Sequence, residues 1–277
     1  IIILGLLASF LIGNYNPITA WDSMALYDSR ALMISLNHSL KDITDSSYYL
    51  SYPLFLSLLH AAVYLVGGNN PQSLQAIIFA TFLAVIYGRL SSWTNHRLAL
   101  IGTILNLFIY ELLYHSTIAY ANLAYTVFLV AAILYGVSGR RLIFSGILLG
   151  LSTWVRSTEV FWILGLALIL YHGYQTRLYK HTLAAFLIFF TIRQSWLWYY
   201  QALVSNLAIP PLSPAPIFSQ ATINQIVVNL PQIWDYLNRY ALTPYLGFWG
   251  IALGSTILSF VINLPKVKVL SLIAFAT

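Results

Sequence analysis

The segment Trp21-Asp22-Ser23-Met24-Ala25-Leu26-Tyr27-Asp28-Ser29-Arg30 is polar and ionisable, yet it stands between an apolar run and a chain that is almost entirely apolar. The sequence contains seven carboxylates, and four of them lie in this first connecting segment, at Asp22, Asp28, Asp42 and Asp45. Charged side chains are costly beside hydrocarbon, and those that occur there usually have a function. We therefore interpret Asp22 as a candidate active-site residue at a membrane surface.

The remaining sequence is typical of a membrane protein. Of its 277 residues, 60% are hydrophobic and 7% are charged, whereas a soluble domain carries about 25% charged residues. Apolar runs of near-span length predict helices and not barrel strands. The expected fold is all-α, a polytopic transmembrane helical bundle forming a single domain over residues 1–277. The start without Met and the apolar end predict that a span is cut at each terminus.

Charge and cysteine content exclude several classes of site. The net charge of +6 comes from basic residues scattered between apolar runs, which orients a membrane protein and does not indicate a nucleic-acid partner. The absence of Cys excludes disulfides, thiol catalysis and thiolate metal sites. The His residues are dispersed without metal-ligand spacing, so no metal is predicted. No phosphate-binding glycine loop or nucleophile elbow is present.

The apolar runs are separated by polar breaks. They occupy residues 50–66, 74–90, 98–113, 119–136, 142–155, 158–173, 182–200, 244–263 and 269 onward. The longest late break, residues 201–243, contains a proline-rich stretch followed by apolar residues at helical spacing from Ile223 to Leu237. This pattern predicts an amphipathic helix on a membrane surface.

The basic residues predict the membrane topology. They fall in alternate breaks, which places them on one side, the cytoplasm, at Arg89/Arg97, Arg140/Arg141, Arg177/Lys180 and Lys266/Lys268. The side of the Asp22 segment depends on the run 50–66. If this run spans the membrane, the segment is cytoplasmic, and if it lies in the interface, the segment faces outward. A length of about 17 residues allows both arrangements.

Asp22 has a structural and a chemical interpretation. If a helix begins near Ser23, the carboxylate would cap the amides of its first turn. In the chemical interpretation it acts on a substrate. On an ideal α-helix Arg30 lies about 80° round from Asp22 and Asp28 about 240° round. Arg30 is therefore expected to share the face of Asp22, and Asp28 is expected to be solvated or ion-paired.

Other ionisable pairs also allow both a structural and a functional interpretation. Arg156 and Glu159 are three residues apart and either neutralise each other or line a pocket in which Arg156 holds a lipid-linked phosphate. Glu111 and His115 are one turn apart and are expected to pair. Tyr120 and Asn122, at the start of the next span, are candidates to line the same pocket.

Several short motifs occur in an order that resembles a known family. They are Trp21–Tyr27 followed by Arg30, Tyr52-Pro53-Leu54 before a run closed by Gly68, Tyr120-Ala121-Asn122-Leu123, and the stretch from Gly150 to Glu159 that contains Arg156. Together they resemble the GT-C superfamily of integral-membrane glycosyltransferases, in the bacterial branch akin to protein mannosyltransferases and lipid A glycosyltransferases. The resemblance covers nearly all of the chain.

The resemblance implies a fold and an activity. The first outer loop, residues 14–73, would fold into interfacial helices, and residues 201–243 would form a second outer loop. The activity would move a sugar from a polyprenyl-phosphate carrier to an acceptor glycan, lipid or protein. It would need no cofactor beyond the lipid-linked donor, and the active face would be periplasmic or extracellular on the cell (inner) membrane.

The resemblance also implies residue roles. The family's first-loop carboxylate falls on Asp22, as general base, and its span-opening basic residue falls on Arg156, with Glu159 beside it. Arg30, Tyr120 and Asn122 are the other expected substrate-binding residues. Many relatives carry an acid where this chain has Asn122, which leaves a second catalytic acid open.

Two other functional classes remain open. A non-catalytic membrane subunit, or a degenerate relative that binds lipid or a partner protein, is favoured by Asn122 and by the small number of acids. A multi-pass transporter would place its ionisable residues near the membrane midplane, whereas here they gather toward one face.

Overall fold

The computed structural model describes residues 1–40, 52–137, 141–156, 161–205, 228–232 and 234–235, and every regular element in these residues is helical. The expected all-α class is thus confirmed for this part of the chain. By its internal contacts the chain divides into two units, residues 1–212 and 213–277. In the second unit, residues 228–232 and 234–235 are helical, inside the amphipathic helix predicted there. The predicted runs 244–263 and 269 onward lie outside the described residues.

The first unit is a succession of α-helices. They are α1 Ile2–Tyr15, α2 Ser29–Asn37, α3 Phe55–Leu65, α4 Leu74–Trp93, α5 His96–Leu105, α6 Tyr110–His115, α7 Ala121–Gly136, α8 Leu142–Val155, α9 Phe161–Gln175 and α10 Tyr179–Val204. A π-helical turn, Ser23–Asp28, precedes α2, and 3-10 turns at Pro71–Ser73 and Asn106–Phe108 precede α4 and follow α5.

The apolar run 98–113 does not form one continuous helix. The run divides into α5 and α6 at Asn106–Ile109, where Ile109 has extended backbone angles. The Asn106 side chain donates to the carbonyl of Gly102 at 2.7 Å. Such local side-chain bonds compete with the helical ladder, which accounts for the break.

Within the described ranges one stretch, Pro71–Trp93, is long and apolar enough to cross a membrane by length and composition, with 23 residues and a mean hydropathy of 1.6. This result supports membrane association. By contrast, α3 has 11 residues and rises about 16 Å, roughly half the hydrocarbon thickness. The helix ends in a Schellman motif, with Gly67 at φ 85° and the Gly68 N–H donating to the Val63 carbonyl at 2.9 Å. The run 50–66 is therefore stopped well short of a span.

Two glycines let α8 approach α10 closely. A Cβ atom on Gly150 would lie 2.8 Å from Cβ of Ile192, and one on Gly146 would collide with the backbone of Ala185. Small residues four apart allow helix backbones to pack tightly, as they do in membrane helix pairs. Another face of α8 packs on α7, so α7, α8 and α10 form the packed centre of the unit.

Trp196 of α10 anchors the first connecting segment on this centre. Its side chain is 2% exposed and packs in one cluster with Ala31 and Ile34 of α2, Leu54, and Ala61 of α3. Burial of a large aromatic ring contributes strongly to packing energy. The position of α2 and α3 is thus set by contacts with a helix more than 130 residues later in the chain.

Asn70 ties the end of α1 to the start of α4. Its amide nitrogen donates to the carbonyls of Gly13, Asn14 and Asn16 at 3.1, 2.9 and 3.0 Å. Its oxygen accepts from the Gln72 N–H at 3.1 Å. Carbonyls at a helix end have no partner within the helix, so this side chain satisfies them. The polar segment after Asn16 therefore starts from a fixed point.

Candidate functional site

Asp22 lies in a helical segment, residues 21–37, that contains the π turn Ser23–Asp28. Its backbone is already helical, at φ −62° and ψ −36°, and its side chain makes no capping hydrogen bond. The carboxylate is exposed and makes no hydrogen bond to the residues that the structure describes. The capping interpretation therefore does not account for Asp22.

The π turn places Tyr27 beside Asp22. A π turn pairs residues five apart, whereas an α-helix would put residues 22 and 27 about 140° from each other. The Tyr27 ring is buried, and this burial is the main reason that its hydroxyl pKa is raised above the usual range. The positive charge of Arg156 opposes the rise, and the Asp22 carboxylate adds to it. Tyr27 is thus within electrostatic reach of both predicted site residues.

Arg156, Asn122 and His115 form a hydrogen-bonded chain. Arg156 follows α8, and its Nη1 donates to Oδ1 of Asn122 in the first turn of α7. The Asn122 amide nitrogen lies 3.2 Å from Nε2 of His115. Because a guanidinium only donates, the Asn122 oxygen must face Arg156 and its NH2 group must face His115. His115 must accept at Nε2, which requires a neutral imidazole.

Tyr120 completes the arrangement. Its ring centroid lies 5.8 Å from that of His115. The pKa of its hydroxyl is raised, first by burial and then by the Asp22 carboxylate. Asp22 therefore acts on tyrosines from two different elements. We call the set Asp22, Tyr27, His115, Tyr120, Asn122 and Arg156 the Asp22 cluster.

Arg30 points into the protein. It is 3% exposed, and its Nη1 donates to the carbonyl of Tyr52 at 2.8 Å. Burial lowers its pKa to about 10, so the guanidinium stays charged at neutral pH. The expectation that Arg30 shares the exposed face of Asp22 assumed ideal α geometry, and the π turn changes the phase between them. Arg30 instead holds the Tyr52 segment and lies within electrostatic reach of Tyr27.

Asp28 faces α3 and is separate from the Asp22 cluster. Its Oδ1 accepts from the Tyr64 hydroxyl at 2.5 Å and lies 3.6 Å from Nδ1 of His60, whose side chain is fully buried. Asp28 is thus engaged in packing the polar segment on α3. The expectation that Asp28 would not join Asp22 agrees with this geometry, whereas its carboxylate is mostly buried and bonded to a tyrosine hydroxyl instead of being solvated.

The other predicted residues are only partly placed. Glu111 is exposed. Burial lowers the pKa of His115, and the negative charge of Glu111 offsets part of this decrease. Glu159 lies outside the described residues, as do Asp42 and Asp45. No group of three or more His, Asp or Glu side chains that could hold a metal occurs within the described ranges.

Comparison with known proteins gives no match. No family model, curated protein or solved structure matches this chain. The function must therefore be argued from the residues of the site.

Sequence reasoning missed two members of the cluster. The proximity of Tyr27 to Asp22 cannot be inferred without the π turn, because an ideal α-helix would place the two residues on different faces. His115 is expected from the sequence to pair with Glu111, whose charge acts on it, but its hydrogen bond to Asn122 is not foreseen. A neutral hydrogen-bonding residue in the first turn of α7, seven residues after His115, was the available signal.

We predict that the free energy of unfolding of the protein decreases in mild acid because of His115. Burial and the Arg156 charge lower the pKa of His115 below the unfolded value of about 6.5, whereas Glu111 opposes this. The unfolded chain then binds more protons than the folded one, so stability is complete above pH 6.5 and falls as pH drops below it. Thermal unfolding of the detergent-solubilised protein between pH 7.5 and 5 should show the loss.

The matched variant is His115→Gln, whose side-chain oxygen can accept from Asn122 without titrating. It should flatten the acid decline, whereas His38→Gln, at an exposed imidazole, should leave it unchanged. An unaltered decline in His115→Gln would contradict the assignment of a neutral His115.

Proposed function

We propose that this protein is a multi-pass membrane glycosyltransferase that moves a sugar from a polyprenyl-phosphate carrier to an acceptor at the outer membrane face. Asp22 is the general base, and Arg156 binds the carrier phosphate. The observation that carries the proposal is that the Arg156 guanidinium, held in place by Asn122, and the exposed Asp22 carboxylate both lie within electrostatic reach of the buried Tyr27 hydroxyl. Inverting transfer needs this pairing of a base for the acceptor and a cation for the leaving group.

The direction of α7 supports an outward-facing site. The Asp22 cluster surrounds its first turn, and its last turn is followed by the basic residues near Arg141. Its 16 residues separate the two ends by about 24 Å. If the basic end is cytoplasmic, as charge distribution favours, the Asp22 cluster faces outward. The shortness of α3 supports the same arrangement, because residues 14–73 then stay on one side.

The proposed reaction is a single displacement. The acceptor hydroxyl oxygen attacks the anomeric carbon of the sugar while the Asp22 carboxylate takes the hydroxyl proton. The bond from the anomeric carbon to the phosphate oxygen breaks, and polyprenyl phosphate leaves with the electron pair. Arg156 stabilises the negative charge on that phosphate. Attack opposite the leaving group inverts the configuration of the sugar.

Asn122 has a positioning role in this scheme. Its side chain cannot take a proton at neutral pH, so it does not replace the acid found in many members of the resembled family. Its oxygen instead orients the Arg156 guanidinium, and its NH2 group is fixed by His115. This arrangement favours a site with one catalytic carboxylate.

The proposal is tested with the purified full chain in liposomes. Radiolabelled polyprenyl-phosphate glucose and polyprenyl-phosphate mannose are supplied with a lipid or glycan acceptor extract, and label transfer is measured. Binding of unglycosylated polyprenyl phosphate is measured in parallel for the wild type, Arg156→Gln and Arg97→Gln, the last an exposed arginine on α5. We expect transfer from one donor and weakened carrier binding by Arg156→Gln alone.

The two measurements separate the alternatives. Arg156-dependent carrier binding without transfer from any donor would support the non-catalytic lipid-binding subunit and overturn the enzyme proposal. Equal carrier binding by Arg156→Gln and the wild type would contradict the assignment of Arg156 as the residue that binds the carrier phosphate.

A further inference from the structure

An apolar groove lies between α3, α4, α7 and α8. It is partly open, has a volume of about 310 Å³, and its lining is almost entirely apolar. The α7 residues that line it are Ala124, Val127, Phe128, Ala131 and Tyr135. They recur at helical spacing, so the groove follows one face of α7 from near Asn122 toward the other end of the helix.

On α4 and on α8, the row of residues that lines the groove is continued by an arginine. On α4 the lining residues Ile78, Thr81 and Val85 continue, one turn further, to Arg89. On α8 the lining residues Phe144 and Leu148 are preceded, one turn earlier, by Arg141. These are equivalent positions at the same end of the groove.

Tyr135 joins the two arginines to the groove. Its ring lines the groove, and the guanidinium carbons of Arg89 and Arg141 each lie 5.4 Å from its centroid. Arg89 also lies 5.2 Å from the ring of Trp93. Cation–π contacts of this kind hold guanidinium groups in place. The Tyr135 end of the groove therefore carries two fixed positive charges.

Neither arginine is neutralised by the residues that the structure describes. No described carboxylate forms an ion pair with Arg89 or Arg141, and Nε of Arg89 is buried without a hydrogen-bond partner among those residues. Two like charges held beside one ring repel each other, and an anion between them would relieve the repulsion. Guanidinium groups are well suited to bind phosphate oxygens.

The level of the arginines fits a lipid headgroup. Arg89 and Trp93 lie in the last turns of Pro71–Trp93, a stretch long and apolar enough to cross a membrane. Trp and Arg at the end of a span lie at the headgroup region, where phosphates are found. An anion held there would have its chain directed along the apolar groove.

We propose that this groove binds an anionic phospholipid, with its phosphate between Arg89 and Arg141 and one acyl chain against α7. The two arginines lie at the opposite end of α7 from Arg156, so this phosphate position is separate from the proposed carrier phosphate. Phosphatidylglycerol is the simplest lipid of this chemistry. Phosphatidylcholine has the same chains and phosphate but a compensating positive charge.

The test is native mass spectrometry of the purified, delipidated full chain titrated with dioleoyl phosphatidylglycerol or dioleoyl phosphatidylcholine. The wild type should prefer phosphatidylglycerol. In the double variant Arg89→Gln and Arg141→Gln, this preference should fall by roughly 20- to 30-fold, because each arginine near a headgroup contributes about 1 kcal/mol. Arg97→Gln, on the exposed surface of α5, should retain the preference.

A second pair of variants tests the chain-binding part of the groove. Thr81→Trp places a ring in the groove from an exposed position and should remove tight binding of both lipids. Ala84→Trp, exposed on the same helix but outside the lining, should bind as the wild type does. Equal binding of the two lipids by the wild type, full preference in the double arginine variant, or normal binding by Thr81→Trp would each overturn the proposal. Displacement of phosphatidylglycerol by glycerol phosphate alone would show a phosphate site without a chain site and would overturn it too.

Discussion

Asp22→Asn should reduce sugar transfer by roughly 10²- to 10⁴-fold, the usual contribution of a general base. The substitution keeps the size and polarity of the side chain but removes its capacity to take the acceptor proton. The Asp22 side chain is exposed and makes no capping hydrogen bond, so stability and carrier binding should change little. The initial rate of transfer from the active polyprenyl-phosphate sugar, measured at saturating donor, is the readout.

Asp28→Asn is the matched control. It removes a second carboxylate six residues later in the same helical segment, but this group bonds Tyr64 and packs on α3. We expect a lower unfolding temperature with transfer within a few-fold of wild type. Undiminished transfer by Asp22→Asn would remove Asp22 from the mechanism. Equal loss in both variants would indicate a shared structural effect.

Trp196→Ala should detach the first connecting segment from the helical centre and destabilise the protein by about 3–5 kcal/mol. Trp196 is almost fully buried and fills the space between α2, α3 and α10. Its ring also contacts Trp154, with centroids 5.7 Å apart. Because Asp22 and Tyr27 lie just before α2, transfer activity should fall together with stability. Thermal unfolding and the same transfer assay measure the two effects.

Trp198→Ala, two residues further on α10, provides the control because its ring is 59% exposed. This variant should keep both stability and activity. A stable, active Trp196→Ala protein would show that the segment is held by other contacts. A stable but inactive one would place Trp196 closer to the reaction than its burial indicates.

The apolar pattern predicts the helices best where polar residues mark both ends. The run 142–155 coincides with α8 because Arg141 and Arg156 flank it. The run 98–113 contains no proline or glycine pair, and its break depends on the bond from Asn106 to Gly102. Such a bond requires a particular side-chain rotamer, which periodicity does not reveal.

The candidate site was only partly accessible from the sequence. Asp22 and Arg156 stand out because ionisable residues are rare in this chain. Both come within electrostatic reach of Tyr27, and Arg156 is held by Asn122, 34 residues earlier, through the packing of α7 on α8. Tertiary packing of this kind has no local signature. The inward position of Arg30 was missed because the residues Ser23–Asp28 contain nothing that would indicate a π turn.

The π turn also makes the length of this segment as important as its composition. It accommodates one residue more than an α-helical turn of the same rise, so every side chain after it is rotated by about 100° relative to an uninterrupted helix. A chain with the same motif but one residue fewer between Asp22 and Asp28 would turn α2 about its axis. Ala31 and Ile34 would then point away from Trp196 and lose contact with its ring, although neither residue had been replaced. Alignments that treat a one-residue gap here as neutral would therefore compare side chains on different faces of the helix.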